Sequence, residues 1–404
     1  MRNSEIKRIL GIEIPQKDQI DILTNLGFDL LEQNENETKY RVPSWRYNDV
    51  TREIDLIEEV SRIYGFDKVQ SNIPSNSFAA VKNPDDKIIS SINDIMLNSG
   101  FDEVVSSSLV GKALCQKAMQ ELDDEKSIVV LNPHSDDFST LRQNLYPSML
   151  EIAKNNVDNG IKNFRLYETG KVYFKNSQST SDDTGVVESR KLCAVVMGTA
   201  NNSLINSNND DFYILKGVLE DIFDELHISK RVIFEAFSEN AQKMFEFLHP
   251  AQSAVISILG KDKIGYIGRL HPVLEDKLKF NQPLYVFEIN LEEVIQAVNN
   301  TVVKYKKLPV FGYVQRDIAF VAPNNVTNEQ INKIIKRNST KEIFKGSKVF
   351  DIYEGANIED GKKSFAYRIT LQDDNKTLTD EVIQAEINKI KSALEKEIPQ
   401  LSLR

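Results

Sequence analysis

The C-terminal quarter of the chain carries the pattern that leaves the fewest folds open. In RDIAFV, at 316–321, apolar residues alternate singly, which predicts a strand. Thr327 stands where it can cap a helix that puts Ile331, Ile334 and Ile335 on one face. VFDIY and SFAYRITL then alternate strictly, 379–396 repeats apolar positions at Val382, Ile387, Ile390 and Leu394, and LSLR can add a last strand. Strand, helix, two strands, helix, strand is the ferredoxin-like βαββαβ order.

Upstream, strands are predicted at 103–108, 164–167, 171–174, 192–197, 253–259, 263–268 and 284–288, with the turn residues of LGKDKIG making a hairpin. Helices are predicted at 85–99, ended by Gly100, and at 148–158, with Pro147 in the first turn. Hairpin-linked strands with helices between them argue for an antiparallel sheet covered by helices, hence α+β rather than doubly wound. The N-terminal stretch adds a helix at 16–25 closed by Gly27, a strand at 38–43 and a helix through 50–64 ended by Gly65, a small helical module with a wing-like strand pair. SNIPSNSFAAVKNPDD reads as a linker. Three domains follow, at 1–75, 76–300 and 304–404.

Net charge is −10, unevenly spread: 304–404 holds 18 basic against 14 acidic residues, and the preceding part 32 against 46. An acidic body with a mildly basic tail hints that the tail meets a polyanion. With 41% hydrophobic and 27% charged residues, no apolar run of bilayer length and no charged-then-apolar leader, a cytoplasmic address is the default expectation and no membrane partner is expected. Cys115 and Cys193 form no CxxC or Cys/His cluster, so neither a disulfide framework nor a zinc site is suggested.

The run VPSWRYNDVTREIDLIEEVSRIYGFDK, at 42–68, crowds Asp49, Asp55, Glu58 and Glu59 around the start of a helix. On a continuous helix Asp55, Glu58 and Glu59 share a face opposite Ile54, Ile57 and Tyr64. Carboxylates so placed suit magnesium, which takes oxygen ligands and keeps several waters. Asp49 is about 9 Å away along the axis and joins only if the chain is not yet helical there. The alternative is a solvated face laced to Arg52 and Arg62, with Asp49 as the N-cap.

The same run, extended to Val69, resembles the signature of the β-subunit of bacterial phenylalanyl-tRNA synthetases, in a small winged-helix-like domain. LNPHSDDFSTLRQNLYPSMLEIAKNNVDNG, NFRLYETGKVYF, FLHPAQSAVI and YIGRLHPVL look like that family's class II synthetase-like core. KLPVFGYVQRDIAFV, FDIYEG and SFAYRITLQDDNKTLTDEVI resemble its C-terminal ferredoxin-like anticodon-binding domain. The resemblance runs in order from about residue 40 to the end, and the family's β-subunit is about twice as long. It implies a C-terminal fragment without the N-terminal editing half, belonging to an α2β2 ligase that joins phenylalanine to tRNA(Phe) with ATP and Mg2+.

By resemblance, the magnesium ligands are Asp49, Asp55, Glu58 and Glu59, at a site shared with the α-subunit. Tyr47 and Asn48 insert one residue more than the family pattern before Asp49, so Asn48 competes for the first position. The resemblance also implies a core that is a non-catalytic relative of the α-subunit core. Consistent with that, the nearest ATP-holding arginines, Arg165 in FRLYE and Arg269 in GYIGRL, miss the class II patterns, and no GxxxxGK[ST] loop is present. Arg165 reads as a strand-surface or interface residue and Glu168 as its structural neighbour at a turn. His249 and His271, each before a proline, read as turn or strand-end residues. No catalytic residue is assigned, and the fragment alone is expected to be inactive.

A ferredoxin-like sheet binds single-stranded RNA through basic groups on phosphate and exposed rings under bases. Arg316, Lys345, Lys348, Lys362, Lys363 and Arg368 are the candidates, interleaved with Phe365 and Tyr367, whose alternation can equally put both rings in the core. Four to six phosphate contacts would give a salt slope of about −0.7 each. A free-standing RNA-binding or regulatory protein derived from a synthetase, and a ligase acting alone, are the other expectations weighed.

Overall fold

A computed structural model describes residues 1–71, 81, 83–176, 184–199, 211–305, 307–355 and 358–403. Most of the stretch read as a linker lies outside the described residues, as does Arg404. The chain divides into two compact units, Met1–Lys87 and Ile88–Arg404.

In the first unit, α1 (Asn3–Leu10) and α2 (Gln16–Asn25) precede an antiparallel pair, β1 (Asp29–Gln33) and β2 (Thr38–Arg41), then a 3-10 turn at Ser44–Arg46 and α3 (Glu53–Tyr64). Its core is Ile6, Ile14, Leu23, Phe28, Val50, Ile57 and Val60. The helix expected to begin at Val50 begins at Glu53. Val50 is instead a core residue of the preceding turn, and Asp55 turns back to accept from the backbone N–H of Thr51 and Arg52 at 2.8 and 2.7 Å. That bond fixes the start, because it satisfies donors a helix leaves unpaired at its N-terminus. Ile54, expected in the apolar stripe, is 40% exposed. The rest of the buried face keeps the expected Ile57, Val60 and Ser61, with Glu59 buried beside them.

The second unit is built on a seven-stranded sheet. In chain order its elements are α4 (Pro84–Asn98), β3 (Asp102–Glu103), β4 (Leu109–Val110), α5 (Lys112–Lys117), β5 (Thr140–Leu141), α6 (Tyr146–Asp158), β6 (Phe164–Lys175), β7 (Val186–Met197), α7 (Phe212–Glu225), β8 (Val232–Ala236), α8 (Glu239–Met244), β9 (Leu248–Ile258), β10 (Asp262–Leu270), α9 (Pro272–Leu278), β11 (Leu284–Asn290) and α10 (Leu291–Asn299). The strand order is β3-β6-β7-β11-β10-β9-β8, antiparallel throughout except for β3 beside β6. β7 shows why LCAVVM is one apolar run. Leu192, Ala194 and Val196 enter a core with α4, α7 and α10, while Cys193, Val195 and Met197 enter another with α6 and α9. Both faces are covered, so alternation disappears.

Two predicted strands, 164–167 and 171–174, are a single strand, β6. Gly170 is in the strand for room: a Cβ there would stand 2.4 Å from the guanidinium of Arg142 and 2.8 Å from Glu168. These two form a buried ion pair at 2.7 Å, 4% and 2% exposed. The strand expected at 103–108 is confined to Asp102–Glu103.

The tail folds as β12 (Val314–Pro323), α11 (Asn328–Asn338), β13 (Phe344–Tyr353), β14 (Lys362–Leu371), α12 (Asp380–Glu397) and β15 (Ser402–Leu403), with sheet order β13-β14-β12-β15, all antiparallel. This is the ferredoxin-like arrangement expected. Thr327 makes the anticipated cap, accepting from Gln330 N while the Gln330 side chain accepts from Thr327 N. Ile318, Phe320, Phe365, Tyr367, Ile369 and Leu371 face the helices.

Candidate functional site

The acidic run is held by arginines. Arg46, set at the end of the 3-10 turn, donates to Asp49 and to Glu59 Oε1 at 2.7 Å, and Arg62 reaches the other oxygen of Glu59 at 2.5 Å. Glu59 is only 7% exposed, contrary to its expected place on a solvated face, because Arg46 folds over it from outside the helix. The hydrogen bond from Arg46 holds the Glu59 carboxyl below its usual range against the opposing effect of burial, with Arg62 adding to it. Backbone N–H groups of Thr51 and Arg52 do the same for Asp55. Glu58 is exposed.

Of the four expected ligands, then, Asp49 and Glu59 are brought together with Arg46 between them, Asp55 caps its own helix, and Glu58 stands apart in the solvent. No group of three or more His, Cys, Asp or Glu side chains arranged to hold a metal ion occurs among the described residues. In the arrangement seen, the donor set does not converge on an ion: Asp49 and Glu59 are already engaged by guanidinium, and backbone donors take one oxygen of Asp55. Arg46 is the residue that sequence reasoning passed over. Its spacing from Glu59, 13 residues, has no helical signature and became visible only through the turn that brings it back.

The tail's candidates divide between the two faces of its sheet. Residues directly opposite on neighbouring strands share a face. Lys348, Arg368 and Asp317 form one row across β13, β14 and β12 on the face away from the helices, and Lys362 lies on the same face of β14. Arg316 pairs with Ile369 and Lys363 with Ala322, rows that belong to the helix-covered face. Arg316 reaches Asp380 at 3.3 Å, Lys363 lies 5.2 Å from the Phe365 ring, and Lys345 bonds Asp374 at 2.8 Å. The six are therefore not one patch.

Phe365 and Tyr367 are 1% and 0% exposed, so the reading that puts both in the core holds. On the open face of the sheet, Phe350 and Tyr353 are exposed, at 50% and 44%. Register shifts between Val349 and Asp351, and the Phe350 ring ends 4.9 Å from the Arg368 guanidinium on the open side. Strict alternation in VFDIY hid that bulge. Arg368 also grips Asp317 with two 2.8 Å bonds, which hold the aspartate below its usual range.

In the core, the arginines weighed for phosphate are engaged elsewhere. Arg165 donates to the Ser99 carbonyl at 2.7 Å, and Arg269 forms a forked pair with Glu275. His249 and His271 accept from the N–H of Ala251 and Val273, two residues on, so both are local turn caps, the second at the start of α9. Glu168 pairs with Arg142, not Arg165. Glu288, 2% exposed, accepts from the N–H of Leu145 and Tyr146 at the head of α6 and from Lys191 at 2.7 Å.

Comparison with known proteins gives three consecutive family matches: tRNA synthetase B5 domain over residues 1–66, phenylalanyl tRNA synthetase beta chain CLM domain over 69–291, and ferredoxin-fold anticodon binding domain over 309–404. Among curated relatives, the phenylalanine–tRNA ligase beta subunit of Staphylococcus epidermidis is 34% identical over 396 residues, 97% of this chain and 47% of that protein. Those of Listeria innocua and Syntrophotalea carbinolica are each 30% identical, over 97% and 96% of this chain and 47% and 48% of their own length. This chain thus spans about half the length of the curated relatives it matches. The central match alone covers more than half of the residues, and it places the chain in the phenylalanyl tRNA synthetase beta chain family.

Proposed function

We propose that the chain serves as the C-terminal part of a phenylalanine–tRNA ligase β-subunit, supporting ATP-dependent attachment of phenylalanine to tRNA(Phe) in the cytoplasm. Its own share of that work is RNA binding by the tail and docking of the α-subunit by the rest, without chemistry of its own. The observation that carries the reading is the open face of the ferredoxin-like sheet. There Lys348, Arg368 and Lys362 stand beside the exposed rings of Phe350 and Tyr353, the combination single-stranded RNA requires. Lys345, Arg316 and Lys363, at the edge and on the other face, are assigned a lesser part. No helix among the described residues is long and apolar enough to cross a membrane.

For the acidic helix the proposal is conditional. Asp49, Asp55, Glu58 and Glu59 take a magnesium ion only if α-subunit docking draws Arg46 away from Asp49 and Glu59; when bound, the ion would offset the negative charge of these carboxylates. The division at 1–75, 76–300 and 304–404 is likewise proposed as the working one.

The test is capture of the α-subunit of the same organism, followed by charging of tRNA(Phe) with and without this chain. Capture with restored charging supports the reading. RNA binding without capture would favour a free-standing RNA-binding protein, and charging by this chain alone would favour an independent ligase.

A further inference from the structure

The tail from Lys304 onward carries four more basic than acidic residues, and Lys304, Lys306 and Lys307, which precede its fold, supply three of them. The folded part is therefore close to neutral. On its open face Arg368 is held by Asp317 at 2.8 Å and Lys362 by Glu359 at 2.7 Å, which leaves Lys348. A cation that leaves a carboxylate to meet a phosphate gains little by the exchange, so unpaired lysines carry most of the attraction to a nucleic-acid backbone. Lys304 and Lys307 are exposed, and neither joins an ion pair among the described residues. Between Glu293 and Asp317 the sequence has no acidic residue.

The described residues between Asn299 and Val314 belong to no helix or strand. Their side chains are not packed on the protein: Val302, Tyr305, Leu308 and Val310 are between 79% and 89% exposed, and Tyr313 is 64% exposed. A segment that only joined two folded parts would stay hydrated through small and polar residues, so apolar and aromatic side chains strung out in water mark a contact surface. Its far end is moored to the tail's sheet, where Gln372, directly after β14, donates to the Phe311 carbonyl at 2.7 Å. Tyr313 stands two residues before Gln315, which begins the open-face row of β12, so the segment leads onto that face.

We propose that the segment joining α10 to β12 is a second RNA-contacting element, on which Lys304 and Lys307 meet phosphates and Tyr305 and Tyr313 stack with bases. The inference rests on the RNA-binding reading of the tail and lengthens its track: a strand laid on the open sheet continues along this segment towards the core. Charge of one sign with tyrosines set between suits a single strand of nucleic acid, whereas lysine is depleted where proteins meet proteins.

Filter binding of the full chain to a tRNA(Phe) transcript across a salt series tests this. Lys304→Ala combined with Lys307→Ala is expected to lower affinity and flatten the salt slope by about 1.4, the share of two phosphate contacts, while Lys304→Arg with Lys307→Arg keeps the slope. Tyr305→Ala is expected to weaken binding about tenfold, within the worth of one base stacked on a ring. These side chains are exposed, so each variant is expected to melt as the parent does. Parental affinity and slope in the alanine variants, with Phe350→Ala still weakening binding, would overturn the segment's role and leave the open face standing. Lost capture of the α-subunit with RNA binding unchanged would overturn it in favour of a protein contact. No RNA binding by the parent chain at about 50 mM salt would overturn both readings.

Discussion

Arg46 and Glu59 close a contact across 13 residues, 2.7 Å between guanidinium and carboxylate, and so fasten the 3-10 turn to the middle of α3. The same guanidinium holds Asp49, so Arg46 ties together two carboxylates that lie ten residues apart in the run.

Replacing Glu59 therefore differs from replacing its neighbour. Glu59→Ala leaves Arg46 and Arg62 without their shared acceptor at a buried position and is expected to lower the melting temperature of the first unit by a few degrees, whereas exposed Glu58→Ala leaves it unchanged within about 1 °C. If Glu58 serves α-subunit docking, the second variant instead weakens capture. Calorimetric melting and pull-down, run on both, separate the two effects.

Acid weakens the first unit. Glu59 and Asp55 both have folded values held below the ordinary carboxylate range, so their contribution is fully present above the unfolded values near about 4 and is lost as pH falls through the lower folded ones. Stability of this unit is expected to be flat from neutrality to about pH 5 and to decline below about pH 4, with a smaller decline in Glu59→Gln. Melting curves followed by circular dichroism at stepped pH measure it.

The buried Arg142–Glu168 pair makes a sharper prediction. Arg142→Met strands a carboxylate that is 2% exposed and is expected to cost about 3–5 kcal/mol, while Arg142→Met with Glu168→Leu recovers much of the loss. Ser106, which also bonds both partners, limits the recovery. Gly170→Ala, which drives a methyl into the same pair, is expected to destabilise as well. Urea unfolding of the three variants checks the order.

On the tail, Phe365→Ala and Phe350→Ala should part company. The first removes a core ring and is expected to cost about 3–5 kcal/mol. The second leaves the fold intact and weakens tRNA binding by about 1–3 kcal/mol. Lys348→Ala is expected to lower affinity and flatten the salt dependence by about 0.7 in slope, and Arg316→Ala, on the helix side, to do both to a smaller extent. Filter binding across a salt series distinguishes them.

The parts legible from sequence were those whose order is written locally. Single alternation and the Thr327 cap were enough for the tail, and the turn residues Leu259 and Gly260, both at positive φ, were enough for the β9–β10 hairpin. What stayed hidden depends on distant neighbours. β6 was split into two strands because what calls for Gly170 within it, the side chain of Arg142, lies 28 positions earlier. The long helix α7 escaped notice, and Phe350 went unread because one bulge turns it to the open face. Asp55, Glu58 and Glu59 were placed on the correct helix and two of their partners were read, since Arg52 pairs with Asp55 and Arg62 with Glu59; Arg46, which comes from a separate turn and holds both Asp49 and Glu59, was missed.

β13, the longer of the two edge strands of the tail's sheet, is interrupted twice, between Phe344 and Gly346 and between Val349 and Asp351. A regular rim would offer its free amides and carbonyls to any extended chain, including the same strand of another molecule. Two register breaks spoil that template, because an incoming strand cannot stay in step past either one. The tail can therefore leave an entire sheet surface bare for a large, transient partner and still resist polymerising through its own margin, a form of solubility written into the backbone and not into surface charge.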